Sequence, residues 1–354
     1  EALSLALPGS TPVLANGERM FAFAQAAGRR IVAMVDEDLR PRSILTPQAF
    51  ENAVMVGLAL SASINLVRHL QAVAAEAQCP VDLYELYDRL GPRIPLLAAV
   101  RPNGTMRIEE LEAAGGTLGV MKRLSDRIHR HALTVSGRSW GQEIDAAPEP
   151  GAAICTVDQP ISTQPSVIVM RGNLAPEGSI LKLGDASLKQ PVFSGHALVF
   201  ATQDAALAAL EAGRLVAGTV AVLAGMGCRG GPGMALASGF VAAVDGAGLS
   251  TSVAVITDGQ LSGLNRGIAI GQVAPEAALG GPLGLVRDGD AITIDMVAHC
   301  VTLHVDEAEL AARRARSVPH EPADERGWLH IYAQVVQPIT EGAVLVPPDR
   351  LNQR

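Results

Sequence analysis

Aromatic side chains are scarce in this 354-residue chain: Phe, Trp and Tyr together make up 3 %. Few flat platforms are therefore left on which nucleic-acid bases could stack. Positive charge is short as well. Lys and Arg number 28 against 36 Asp and Glu, a formal charge of -8, and the sequence contains no basic run. Neutralising phosphates takes clustered cations, so no nucleic-acid partner is expected. Long apolar runs are also missing. The longest uncharged apolar stretch of the N-terminal half, Asn52 to Val67, includes Ser61, Ser63 and Asn65. A spanning helix needs about 20 mostly apolar residues, so this stretch reads as a buried helix and no membrane association is expected. The four cysteines, Cys79, Cys155, Cys228 and Cys300, lie far apart, with no CxxC pair and no Cys–His cluster. A zinc site has no support from such spacing. Scattered thiols in a chain this size read as reduced core residues of a cytoplasmic protein. No secretory leader is expected, and the opening EALSLALPGS reads as the middle of a helix, which predicts a piece of a longer chain.

What is plentiful points to a folded enzyme-sized protein. Apolar residues reach 48 % and charged residues only 18 %, enough material for a core in about two domains. Gly17 to Val35 has helical spacing (Met20, Phe23, Ala24, Ala27, Ile31, Met34, Val35). Thr46 followed by Pro47 is a helix start, with Phe50, Val54, Leu58, Ala62 and Leu66 on one face. Ile108 to Ala114 and Val120 to His131 also read as helical. Near Ala146 to Gly151 (AAPEPG) the pattern breaks, dividing the chain into residues 1–148 and 149–354. Beyond the break come short β-branched runs: Ile154 to Val157, Ser166 to Met170, Ser179 to Leu183, Ala197 to Phe200, Thr219 to Leu223, Thr251 to Thr257, Ala291 to Asp295 and His299 to Val305. Helices over Asp204 to Ala212 and Asp306 to Arg316 intervene. The fold class is α/β: a helical first part followed by a β-barrel-like, swivelling α/β unit rather than a doubly wound sheet.

Two segments could carry chemistry. Gly230-Gly231-Pro232-Gly233 leads into a predicted helix, Ala235 to Ala243, and such a turn can offer backbone N–H groups to an anion. It lacks the Lys and Ser/Thr of a P-loop and does not match the dinucleotide fingerprint, and by itself it reads equally as a tight strand-to-helix turn. The second segment is the strand Val253 to Thr257 running into Asp258-Gly-Gln-Leu-Ser-Gly263. A buried strand that ends in a glycine-flanked loop presents a side chain well, here Ser262, although Asp-Gly is also an ordinary turn. Serine is a poor base unless a nearby cation draws off its proton, and no Ser-His-Asp arrangement surrounds it.

With these blocks in place, the chain resembles the dihydroxy-acid dehydratase/6-phosphogluconate dehydratase family. The resemblance is carried by GGPGM (Gly230 to Met234), GAGL (Gly246 to Leu249), VAVITDGQLSG (Val253 to Gly263) and APEAALGGPLGLVRDGD (Ala274 to Asp290). EALSLALPGS, GRRIV, ILTPQAFENA, AGG, ALTVSGR, RGNLAPEG and ELAARRA fall in family order, so essentially the whole chain is covered. The resemblance implies a hydro-lyase that converts a 2,3-dihydroxy acid to a 2-oxo acid, working as a homodimer. It also implies that residues 1–148 are the helical remainder of an αβα domain. An iron–sulfur cluster on three cysteines would leave one iron open to the leaving hydroxyl, and Mg²⁺ would hold the carboxylate end. Ser262 falls at the family's base, with Asp258, Gly259, Gly263 and Arg266 bordering the substrate.

The departures bear on the same chemistry. By the resemblance, the cluster cysteines, metal-binding aspartates and carbamylated lysine all belong upstream of Glu1, and none of the four cysteines here falls at those positions. The remaining Mg²⁺ ligand, a Glu two residues after GPGM, is Leu236, which has no oxygen to offer a hard cation. GGSTN becomes Ser61-Ala62-Ser63-Ile64-Asn65, and GHVSPEA becomes Gly271-Gln272-Val273-Ala274-Pro275-Glu276-Ala277. This chain alone is therefore expected to bind neither cluster nor Mg²⁺ and to be inactive. The TDGQLSG and GGPGM wording is nearer the branched-chain dihydroxy-acid branch; a non-catalytic homologue or a sugar-acid dehydratase-like protein stays open.

Overall fold

The computed structural model describes residues 1–101, 103–183, 191–231, 233–234, 236–262, 267–317 and 326–346. Packing divides the chain into two compact units, residues 1–166 and 167–354. That division falls later than the composition break near residue 148. Backbone hydrogen bonds tie the intervening segment to the first unit: Gly151 N–H donates to Ala114 O, Cys155 N–H to Leu97 O, and Leu96 pairs with Ser162. The β-branched run Ile154 to Val157 is therefore not a strand.

Helices build the first unit: α1 (Glu18–Asp36), α2 (Pro41–Ile44), α3 (Pro47–Ala59), α4 (Asn65–Ala77), α5 (Leu83–Leu90), α6 (Ile108–Ala113), α7 (Gly116–Arg123) and α8 (Trp140–Ala146). Thr46 caps α3 as expected, its hydroxyl accepting from Ala49 N–H. The helix stops at Ala59, however, so Ala62 and Leu66 lie beyond it, and it is buried all round rather than on one face. Only Met34 of α1 is buried; Phe21, Ile31, Val32 and Val35 are exposed. The helix expected to run to His131 ends at Arg123. There the buried Asn52 side chain takes over the backbone, accepting from His129 N–H and donating to His129 O.

In the second unit the sheet is a closed barrel of β1 (Val167–Gly172), β2 (Ala175–Lys182), β3 (Val192–Phe200), β4 (Thr219–Leu223), β5 (Val253–Thr257), β6 (Ile268–Ala274), β7 (Ala291–Asp295) and β8 (Cys300–Leu303), in the order β1-β2-β6-β5-β4-β3-β7-β8. β6 was not foreseen. β3, β4, β5 and β6 run parallel. β4 and β5 are buried at every position, as strands covered on both faces should be, whereas antiparallel β7 alternates. The helices α9 (Gln203–Glu211) and α10 (Ser238–Gly246) pack together over the parallel half. Inside the barrel, Ile168, Met170, Phe193, Val220, Val222, Ile256, Ile270, Ile292 and Val301 form one apolar core. Closure between β1 and β8 brings Gly172, at φ 137°, so close to Val301 O that a Cβ there would overlap it.

The helix α11 (Glu307–Arg316) is pinned to the barrel by Arg313, followed in sequence by α12 (Trp328–Val335). The Arg313 guanidinium grips both oxygens of Asp290 at 2.5 and 3.0 Å, donates to Leu285 O at 3.0 Å, and meets Glu309 at 2.9 Å. Burial pushes the Asp290 carboxyl up, but the Arg313 hydrogen bonds, with the Arg287 N–H, outweigh it and hold the group below its ordinary value. A depressed native pKa gives stability that is present at neutral pH and fades as pH falls through that pKa. Replacing Arg313 with Met strands a nearly buried carboxylate and should cost about 3 kcal/mol at neutral pH, and less in acid. Urea denaturation at pH 7 and pH 3 checks this; an unchanged midpoint at pH 7 contradicts it.

Candidate active site at the carboxyl ends of the parallel strands

Because β4, β5 and β6 run parallel, the segments that follow them emerge at the same rim of the barrel: 224–237, 258–262 and 275–281. Open α/β sheets bind ligands beyond such carboxyl ends, by the same geometry. Here the three connections are laced to one another. Asp258, 1 % exposed, accepts from Gly225 N–H at 3.0 Å and Ala277 N–H at 2.9 Å through Oδ2, and from Met226 N–H at 2.8 Å through Oδ1. Burial pushes its carboxyl up and these N–H groups pull it back; the net direction is upward. Asp258 was expected to border a substrate; its oxygens are occupied by backbone.

Ser262 lies where the strand-and-loop pattern put it, just past the end of β5, and is half-buried. Thr257 Oγ1 accepts from Gly259 N–H at 2.9 Å, and Gly259 O accepts from Gln272 N–H at 3.0 Å, curling the loop back over β6. Leu261 is fully buried against Gly271. Gln260 pairs with Leu236 as in a parallel ladder, and its carbonyl accepts from Ala237 N–H. Ser262 N–H donates to Ser238 Oγ at 2.6 Å. The segment after the glycine-rich turn is thus laid alongside the serine loop. The helix expected from Ala235 begins at Ser238, because residues 236–238 serve this pairing first. Gly263 and Arg266, the other expected substrate neighbours, lie outside the described residues.

Glu276 was read only within the family blocks, since a lone acid after Pro275 carries no local signal of a role. It is 5 % exposed and accepts from Arg229 N–H at 2.8 Å. Gln272 was read only as a family departure. It is fully buried at φ 56°, with Nε2 donating to Gln260 Oε1 at 3.0 Å and its own Oε1 without a hydrogen-bond partner.

The metal chemistry implied by the resemblance does not fit these residues. Among the described residues no three His, Cys, Asp or Glu side chains group to hold a metal ion. Leu236 is 54 % exposed beside Gln260 and offers only carbon. Cys228 sits in the turn after β4, 3.9 Å from Met234 Sδ. Cys300 opens β8 opposite Asp295, which pairs with the first residue of β3, so these two thiols lie at opposite rims. Cys79 and Cys155 belong to the first unit. The described residues therefore make neither a cluster site nor a Mg²⁺ cage.

A mixed α/β chain with a closed eight-strand barrel and a serine loop on its carboxyl rim defines the class. Residues 1–143 match the N-terminal and 152–343 the C-terminal model of the dihydroxy-acid/6-phosphogluconate dehydratases. The chain belongs to that family. It is 42 % identical over 347 residues to a dihydroxy-acid dehydratase of Pelobacter propionicus, covering 97 % of this chain and 62 % of that protein. Identity is 41 % over 348 residues with a dihydroxy-acid dehydratase of Ignicoccus hospitalis, covering 98 % and 63 %. For one from Leifsonia xyli it is 39 % over 349 residues, covering 97 % and 61 %. The chain thus spans about three-fifths of the length of the curated relatives it matches.

Gly227 exposes how tightly the rim is built. A Cβ at that position would fall onto Glu276 Oε2. Gly227→Ala should therefore displace the turn and cost about 1–3 kcal/mol, as overpacked interiors do. Urea denaturation followed by far-ultraviolet circular dichroism measures the loss; an unchanged midpoint contradicts the geometry.

Proposed function

We propose that this chain carries the base-bearing part of a hydro-lyase that removes water from a 2,3-dihydroxy carboxylic acid to leave a 2-oxo acid. The observation that carries the reading is the Ser262 loop, fixed to Ser238 at the carboxyl rim of the parallel strands in a member of this family. Ser262 Oγ is assigned the C2 proton. The C3 hydroxyl then departs as water, and the enol that remains tautomerises to the ketone. Gly259, held by Thr257 and Gln272, sets the curl of the loop, while Asp258 shapes the rim through backbone N–H groups rather than by touching substrate.

The names of the similar proteins favour a dihydroxy acid as substrate, and the TDGQLSG and GGPGM wording favours a branched-chain one. We take the first unit as the helical remainder of an αβα domain, the barrel as the swivelling domain, and the assembly as a cytoplasmic homodimer. Among the described residues no helix is long and apolar enough to cross a membrane. Serine needs a cation nearby to serve as a base. Because Leu236 offers no ligand for one, this chain by itself is assigned no turnover and no stoichiometric iron or Mg²⁺. Leu236 also favours a second reading, a homologue that keeps the fold without catalysis.

A chimera separates these readings. The part of the Pelobacter propionicus relative that this chain does not match is joined to it, reconstituted anaerobically with iron, sulfide and Mg²⁺, and assayed with 2,3-dihydroxy-isovalerate. With Leu236→Glu the chimera should turn over, and adding Ser262→Ala should lower kcat by about 10²- to 10⁴-fold. An undiminished rate in the Ser262→Ala chimera refutes the base assignment. A Leu236→Glu chimera that binds iron and Mg²⁺ but stays inactive supports the non-catalytic reading. Stoichiometric iron with a charge-transfer band on the 354 residues alone overturns the account of the metals.

A further inference from the structure

We propose that Glu276 is a positioning residue: its buried carboxyl group is the template on which the glycine-rich turn 225–231 folds, and through that turn it places Ser238 and Ser262. The assignment deepens the dehydratase reading by naming what holds its serine loop, yet its geometry stands without any turnover.

The turn makes almost none of the repetitive hydrogen bonds of a helix or strand, so its backbone N–H groups need other acceptors. Two carboxyl groups from neighbouring strand ends supply them. Asp258 takes Gly225 and Met226; Glu276 takes Arg229. Space is the second observation. Gly227 passes so close to Glu276 Oε2 that only hydrogen fits there, so the turn is moulded directly on the carboxyl group. Asp258 Oδ2 also holds Ala277 N–H, fixing the backbone next to Glu276 itself. The turn then delivers Leu236 to Gln260, Ala237 to Gln260 O, and Ser238 to Ser262 N–H. A displacement at Glu276 is therefore passed along the chain from the turn to Ser238 and from there to Ser262 N–H.

Two charged groups act on Glu276: Asp258, from the end of β5, and the Arg229 guanidinium, from the turn. Burial is the largest influence and pushes the Glu276 carboxyl up to about 7; Asp258 adds to this, while the Arg229 and Gly230 N–H groups and the Arg229 charge oppose it. Opening the turn would hydrate the carboxyl and return it toward an ordinary value near 4.5. The closed turn therefore prefers the protonated form, whose Oε1 still accepts. Its closure weakens as pH rises through about 7.

Amide hydrogen exchange on this chain from pH 5.5 to 8.5, divided by the intrinsic rates, tests the proposal without any turnover. In the wild type, protection of Arg229 should fall by about 30-fold over this range, most of it below pH 7 and levelling off above. In Glu276→Gln, a neutral carbonyl acceptor, protection should persist and lose its pH dependence. In Glu276→Ala it should vanish at every pH, and Ser262 N–H should lose protection while β4 and β5 keep theirs. Wild-type protection that is flat with pH, or a Glu276→Gln profile identical to it, overturns the proposal. So does a folded Glu276→Ala variant with Ser262 N–H still protected. If Glu276→Ala does not fold, the wild-type and Glu276→Gln profiles decide. An inactive chimera leaves this outcome untouched, so the two readings fail separately.

Discussion

One carboxyl group holds the carboxyl rim of the barrel together. Asp258 reaches from the end of β5 to the backbone that follows β4 and to the backbone that follows β6, so three connections share one acceptor. Without it, buried N–H groups in irregular turns would face an apolar interior, and each would cost about 1–3 kcal/mol. The buried carboxyl group thereby shapes the rim on which Ser262 rides. Burial raises the pKa of such a group, and only the density of N–H donors makes the charged form tolerable.

The rest of the unit follows from an asymmetry in the sheet. Parallel strands buried on both faces need helices above them, and α9 and α10 supply that cover. The antiparallel strands β7 and β8 keep one face open and alternate accordingly. The carboxyl ends of the parallel strands therefore receive the long glycine- and proline-rich connections. At the opposite rim β7 returns to β8 through a short link containing Val297 to His299. Chemistry-bearing residues collect where backbone is irregular and must be held by side chains.

Much of this was legible from residue order. β4 was placed at its observed bounds, β5 to within two residues, and Ser262 at the loop after it, because an apolar run ending in Asp-Gly is a purely local signal. What escaped depended on distant partners. β6 was read as motif rather than strand, since Gly271 and Gln272 dilute its apolar pattern, although every position is buried. The helix Val120 to His131 was drawn too long because Asn52, far away in sequence, claims the backbone at His129. Ile154 to Val157 has strand composition, yet its Cys155 N–H is used by Leu97 O. Glu276 gave no sign of a role, because its importance lies in the turn it fills.

Family membership and the serine loop agree with one another, while Leu236, beside Gln260, offers only carbon. Both sides of that contrast rest on the rim being one interlocked structure. Asp258→Ala tests this most directly, since it removes both acceptor oxygens of the knot at once. Residue-resolved amide exchange should show protection falling at Gly225, Met226, Ala277 and Ser262, with β4 and β5 unchanged. Loss confined to a single connection, with the others protected as before, would contradict the account.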